Sequence, residues 1–339
     1  MMKTLICMVA LVAAGMTPGC AAGGGWKIAV LPGDWECTGF EEDKDLSAVA
    51  AWDATHVLVA TDETVTIQPG VMDRAGRKIT AGAALALPMG GGGKKDEKEE
   101  ADCEGLAVMR EKKAYFLTGS HGLGKKKADF QEGRCQVFRI PVDPATGEAS
   151  GRGITTASLL PWAAKDPVLG RYVRQPLQLN GFNIEGLAAK DGKLWFGLRA
   201  PNEGGDAFVV ETSPAALFEK GGEGSVLHRI PVGAGVGIRE IAALRDGFLV
   251  LTGNASAEAT KKQPKTMAPG DDVAFTLWFW RPVGPGGFTQ KIGELPEPSA
   301  KAEGLLVLEE TADEVEVLVL FDSAPGGGPK SYRLSRPKP

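Results

Sequence analysis

The chain has 339 residues, with 38 Lys+Arg against 43 Asp+Glu and a formal charge of -5. That balance offers no electrostatic attraction to polyphosphate, so nucleic acid is set aside as a partner. Its 46 glycines are about twice the usual share, but the chain is 43% apolar, which excludes disorder and collagen and predicts a folded, turn-rich protein.

Residues 1–22 combine Lys3, an apolar run from Thr4 to Met16 and the small residues Gly19-Cys20-Ala21-Ala22. This pattern predicts an export leader, too short to span a bilayer, followed by one domain over 23–339. Cys20 with the glycines after it resembles a lipoprotein cleavage site, although Thr17 and Pro18 replace the usual residues. Two destinations stay open: a lipoprotein of the periplasm or outer membrane held by a lipid at Cys20, or a secreted protein. With Cys7 in the leader, Cys37, Cys103 and Cys135 remain. An odd number without C-x-x-C spacing predicts at least one buried thiol and no zinc site.

Further along, one phrase recurs five times: Asp45-Leu-Ser-Ala-Val-Ala, Asp102-Cys-Glu-Gly-Leu-Ala, Asn183-Ile-Glu-Gly-Leu-Ala, Ile238-Arg-Glu-Ile-Ala-Ala and Lys301-Ala-Glu-Gly-Leu-Leu. An apolar strand-like run follows each copy, at 56–60, 114–117, 194–198, 248–251 and 315–321, and each run ends in a polar or glycine-bearing turn. Further strands fit inside each unit, and four strands per unit is the signature of a propeller blade. The last unit has room for three, so the segment 26–31 is expected to supply its outer strand and close the ring. The fold class is therefore all-β, a five-bladed propeller joined through its two chain ends. Six blades is the alternative if the insertion at 161–182, which also has room for a short helix, hides a repeat. The segments 90–100 and 255–272, the latter with Lys261, Lys262 and Lys265, read as surface loops.

The phrases Glu104-Gly-Leu-Ala, Asn183-Ile-Glu-Gly-Leu-Ala, Gly197-Leu-Arg-Ala-Pro201 and Gly237-Ile-Arg-Glu240, with Gly119-Ser-His121, resemble the bacterial domain-of-unknown-function family 3616 over nearly the whole mature chain. The resemblance implies an exported, propeller-like fold and transfers no reaction. The fourth phrase departs from the pattern, with Ile241 read at the glycine position. A more distant likeness, to esterase-like phytases and calcium-dependent lactonase propellers, rests on the short Glu-Gly-Leu phrase and implies glutamates near a central metal.

In an antiparallel blade the first strand begins on the face where the second ends. One channel mouth is thus expected to gather Ser47, Glu104, Glu185, Glu240 and Glu303 with Asp62, Ser120, His121, Arg199, Asn254 and Asp322. Several glutamates on one axis need compensation. A hard divalent cation such as Ca²⁺ held by Glu104, Glu185, Glu240 and Glu303 would supply it, and so would Arg199 and Arg239. If the arginines serve, the glutamates tie neighbouring blades together.

Three functions follow. The first is binding of a small anionic molecule or a cation at the mouth, with Arg199, Arg239, Asp62, Ser120, Asn254 and Asp322 as contacts. The second is metal-dependent hydrolysis of phosphate esters, lactones or related esters, with His121 moving protons. The third is a protein-binding scaffold. The near phosphate loop at 119–126 has Lys126 where Ser or Thr belongs, and Gly233-Ala-Gly-Val-Gly237 lacks a dinucleotide partner, so neither predicts a nucleotide. Trp278 and Trp280 are expected to pack between blades.

Overall fold

The computed structural model describes residues 25–89, 101–124, 128–257, 273–284, 287–297 and 301–338. The expected leader with Cys7 and Cys20, the 90–100 loop, Lys126, and Lys261, Lys262 and Lys265 lie outside the described residues.

Five antiparallel sheets surround one axis. Their innermost strands are Leu46–Ala51, Cys103–Met109, Asn183–Lys190, Val236–Leu244 and Lys301–Glu310, and each pairs with the strand that follows it: His56–Thr61, Ala114–Gly119, Lys193–Glu203, Gly247–Asn254 and Glu314–Asp322. Third and fourth strands complete each blade. The fifth blade takes its outer strand from Lys27–Val30, antiparallel to Lys330–Ser335 with Lys27 opposite Ser335 and Val30 opposite Tyr332. Successive inner strands pack on one another and the last returns to the first. The protein is an all-β, five-bladed propeller closed through its two chain ends.

The apolar faces meet in five wedges, one between each pair of neighbouring blades. Leu58, Leu106 and Phe138 fill the first, Phe116, Phe182 and Phe196 the second, and Val209, Phe248 and Trp280 the third. Trp26, Leu251 and Tyr332 fill the fourth, and Leu46, Val59 and Leu320 close the circle. In the third wedge the ring of Trp280 lies 5.9 Å from that of Trp195 and 5.3 Å from that of Phe248, the packing between blades expected of it. Cys37, Cys103 and Cys135 are free and buried. Burial pushes the thiols of Cys37 and Cys135 up to about 12, so all three side chains act as small apolar residues.

The insertion before the third blade forms no sheet among the described residues, which removes the six-bladed alternative. It holds a short helix, Leu160–Ala163, and 3-10 turns at Leu169–Arg171 and Leu177–Leu179. The Asp166 carboxylate accepts from the backbone N–H groups of Val168 and Leu169, both at 2.9 Å, ending the helix and turning the chain. Leu159, Ala163, Leu169 and Phe182 then pack into the second wedge. Two unforeseen short strands bring the first blade to six: Glu36–Thr38, parallel to Lys78–Ala81 at the outer edge, and Leu85–Ala86, antiparallel to the start of Thr66–Asp73.

Candidate functional site

Each recurring phrase makes a β-bulge in its inner strand. The pairing skips Ser47 in the first blade, Glu104 in the second, Glu185 in the third and Arg239 in the fourth, and the fifth is irregular at Glu303-Gly304. A bulge re-aims the residue left without a cross-strand partner. The ring of equivalent positions is therefore Ser47, Glu104, Glu185, Arg239 and Glu303, and the fourth phrase sits one residue away from the register that its glutamate implied. Arg239 occupies the glutamate position, and Glu240, not Ile241, the glycine position.

The glycines explain the phrase. A Cβ on Gly105 would stand 2.7 Å from the backbone nitrogen of Leu187, and one on Gly186 would stand 2.8 Å from that of Ile241. Neighbouring inner strands approach so closely there that side chains are shut out. Where the fourth blade carries Glu240 instead, its buried carboxylate bridges the same seam: Oε1 accepts from the N–H of Leu187 at 2.8 Å and from that of Ile241 at 2.9 Å. Glu240 is thus an inter-blade tie, and the metal-ligand expectation for it is corrected by its position in the seam. Ser47 plays a similar part, donating at 2.6 Å to the carbonyl of Cys103 in the next blade.

Because Arg239 stands in the fourth blade, its neighbours around the ring are the glutamates of the third and fifth. Its guanidinium contacts Glu185 at 3.1 Å and also pairs with Glu303. Burial works against the charge, but Glu185, Glu303 and Glu104 outweigh it and hold Arg239 firmly protonated. Arg199 reaches Glu185 through Nη1 at 2.9 Å and donates from Nε to the carbonyl of Asn254 at 3.1 Å and from Nη2 to that of Ser256 at 2.8 Å. Both arginines expected to grip an anion are thereby engaged within the protein. The Asn254 amide oxygen accepts from Ser256 N–H at 2.8 Å, and Asp322 pairs with Lys301 at 3.3 Å.

Glu104 is different. Its ring neighbours are Ser47 and Glu185, neither a cation, and no described residue donates a hydrogen bond to its carboxyl or pairs with it. The residue is 8% exposed. Burial first, then the charges of Glu185, Asp102, Glu303 and Asp62, push its carboxyl well above the ordinary range. Glu303 is pushed up to about 8 by burial, with Glu185, Asp322 and Asp62 adding to the rise and Arg239 opposing it. The mouth therefore gathers Glu104, Glu185, Glu303, Asp62 and Asp322 around one bridging arginine. Asp45 joins the rim, raised by burial and by its hydrogen bond and repulsion with Asp322. No three His, Cys, Asp or Glu side chains among the described residues are arranged to hold a metal ion.

Ser120 and His121 lie deeper, under the second wedge. The Ser120 carbonyl accepts from the N–H of Ile184 at 2.7 Å, and its hydroxyl accepts from Arg134 at 3.3 Å, so it joins two blades. His121 is 1% exposed. Its Nδ1 lies 2.9 Å from the carbonyl of Gly119 and its Nε2 accepts from the N–H of Leu159 at 3.2 Å. A carbonyl only accepts and an amide N–H only donates, so the ring is the neutral Nδ1–H tautomer with both nitrogens used. The proton-carrying role expected of His121 meets this obstacle: the ring has no nitrogen free for a substrate.

Burial lowers the His121 pKa from 6.5 to about 4, with the Gly119 bond opposing the fall. The unfolded chain then takes up a proton near pH 6.5 that the folded ring refuses until about pH 4. Stability is fully retained above 6.5 and falls by about 3 kcal/mol as pH drops through that window. His121→Gln, which keeps a donor and an acceptor, is expected to flatten this part of the profile in denaturant melts; an unchanged slope would show that the ring titrates in the open.

The opposite end of the channel was not foreseen. There the inner strands, past their bulges, enclose a cavity of about 400 Å³ lined by residues including Leu106, Ala107, Ala188, Ile241, Ala242 and Leu305. The signal was present in the small and apolar residues that follow every copy of the phrase.

A closed five-bladed propeller with a charged ring at one mouth and an open cavity at the other defines the class. The model of a family described as "Protein of unknown function (DUF3616)" matches residues 45–139 and 152–260, and the chain belongs to that family. No curated protein matches. Among solved structures, the PQQ-bound aldose sugar dehydrogenase of Streptomyces coelicolor is 12% identical, with 93% of this chain and 99% of that one covered and a TM-score of 0.45. A GH43 β1,3-galactosidase is 10% identical over 90% of this chain and 59% of its own, at 0.49, and a streptogramin B lyase 10% identical over 91% and 97%, at 0.40. At these values nothing about ligand or reaction passes to this chain.

Proposed function

We propose that this protein binds a small organic cation, an ammonium or guanidinium compound, at the acidic mouth of its channel. The observation that carries the reading is Glu104: a buried carboxyl without a hydrogen-bond donor or counter-charge among the described residues, facing further carboxylates. A cation carrying N–H donors would satisfy both deficits at once. With both arginines already paired to Glu185 and one of them also to Glu303, an anion would meet an excess of carboxylates. The expected export leader makes a compound from outside the cytoplasm the natural ligand. The hydrolytic alternative loses the proton carrier it needed at His121.

Thermal melts with spermidine, methylammonium, arginine amide, Ca²⁺ and Mg²⁺ test this directly. A true ligand at about a hundred times its Kd stabilises by about 2.7 kcal/mol. The organic cations are expected to raise the melting temperature of the wild type and to leave that of Glu104→Gln unmoved. Stabilisation by Ca²⁺ alone would assign the mouth to a hard cation instead, and none by any compound would remove the binding reading.

A further inference from the structure

We infer that the cation taken up at the acidic mouth is a guanidinium compound, whose planar fork bridges Glu104 and Glu303 over the first blade. The inference rests on the reading of that mouth as a cation site, and it names the chemical class and the seat. The ring positions hold Ser47, Glu104, Glu185, Arg239 and Glu303, each left without a cross-strand partner where its inner strand bulges. In the fourth blade the ring already shows how a guanidinium is held. Arg239 gives one terminal nitrogen to each neighbour, Nη1 to Glu185 Oε2 at 3.1 Å and Nη2 to Glu303 Oε1. One fork thus spans the carboxylates on either side of its own blade.

The carboxylate oxygens of the ring are unequally served. Glu185 uses both of its own, Oε1 with Arg199 and Oε2 with Arg239. Glu303 uses Oε1 alone, and among the described residues nothing donates to its Oε2. Neither oxygen of Glu104 meets a donor among them, although the residue is more than nine-tenths buried. The unmet acceptors therefore lie on the two glutamates that flank the first blade. Between them stands Ser47, whose hydroxyl is turned to main-chain carbonyls, that of Cys103 at 2.6 Å and that of Ala60 at 3.3 Å, and which brings no charge to the ring. Because the blades repeat about one axis, the span from Glu303 to Glu104 across the first blade corresponds to that from Glu303 to Glu185 across the fourth. Arg239 covers the latter, and a guanidinium from outside would cover the former. An ammonium is a compact point charge that settles on one carboxylate, whereas a planar guanidinium offers N–H groups to two. Asp62, in the blade of Ser47, repels the charges of both Glu104 and Glu303, and Lys301 is taken by Asp322 at 3.3 Å, so the seat is left acidic.

Calorimetric titration with methylammonium, methylguanidinium and tetramethylguanidinium separates charge from geometry. The last keeps the charge, but two of its nitrogens are dimethylated and carry no N–H. The wild type is expected to bind methylguanidinium at least about tenfold more tightly than either of the others, because the second carboxylate adds a charge-assisted hydrogen bond. Glu303→Gln is expected to erase that preference, and Glu104→Gln to remove binding of all three. A wild type that binds methylammonium or tetramethylguanidinium as tightly as methylguanidinium would overturn the bridge while leaving a cation site at Glu104, and so would a preference that survives in Glu303→Gln. The comparison of compounds on the wild type decides the matter even where the Glu303 variant folds poorly. No binding by any of the three would overturn the cation reading of the mouth itself, and the bridge with it.

Discussion

Replacing Arg239 by Gln is expected to cost about 3–5 kcal/mol of folding stability, because it strips the bridging charge from two buried carboxylates instead of removing a complete ion pair. The loss should depend on pH in a definite sense. Glu303 has a folded-state pKa raised from 4.5 to about 8, so its favourable contribution is complete below 4.5 and disappears as pH rises through 8. Arg239 opposes that rise. Without it, Glu303 holds its proton more tightly and is penalised more heavily when it finally ionises. The gap between wild type and variant is therefore expected to widen as pH rises above about 8 in urea melts. A gap that stays level would mean that Arg239 acts through packing and not through charge.

Gly105→Ala is expected to cost about 3 kcal/mol, the upper part of the usual range for overpacking. The added Cβ would meet backbone atoms of the next blade, the nitrogen of Leu187 at 2.7 Å and the carbonyl carbon of Gly186 at 2.9 Å. No rotamer change can relieve a contact with main chain, so the second and third inner strands must separate. Gly186→Ala, against Ile241 and Glu240, should behave alike. Alanine at Gly192, where a Cβ would meet nothing within 4 Å, serves as the control. Its left-handed φ of +70° limits its cost to backbone strain, about 1–2 kcal/mol. Chemical denaturation of the three variants separates the two mechanisms, and equal losses at all three sites would show that the inter-blade seam yields.

Most of the architecture was legible because repetition carries it. Each unit repeats the same strand order, and the shortage of one strand in the last unit pointed to 26–31 as its completion. The register of the site was harder to see. Matching Glu240 to the other glutamates aligned identical letters, whereas the apolar frame, Ile184 with Leu187 against Ile238 with Ile241, places Arg239 opposite Glu185. Inner-strand packing obeys that frame, since these large residues fill the wedges between blades and the bulged residue between them is left without a cross-strand partner. One residue of difference turns a presumed metal ligand into an inter-blade tie and a presumed anion grip into the bridge between two acids. His121 misled for another reason: a histidine at a strand end beside a serine looks accessible, and only the helical insertion, whose Leu159 N–H caps it, shows otherwise. The cavity went unread because alanine and leucine after a charged phrase look like ordinary strand filling.

Proton release on ligand binding is the most direct test of Glu104 as the seat of recognition. Its carboxyl, pushed well above the ordinary range by burial and by its acidic neighbours, is biased toward its protonated form, and a bound cation biases it back toward the carboxylate. Titration of an organic ammonium compound in buffers of different ionisation enthalpy should therefore show net proton release on binding, with neither binding nor release in Glu104→Gln. Binding without proton release, or equal affinity in the two proteins, would contradict the account.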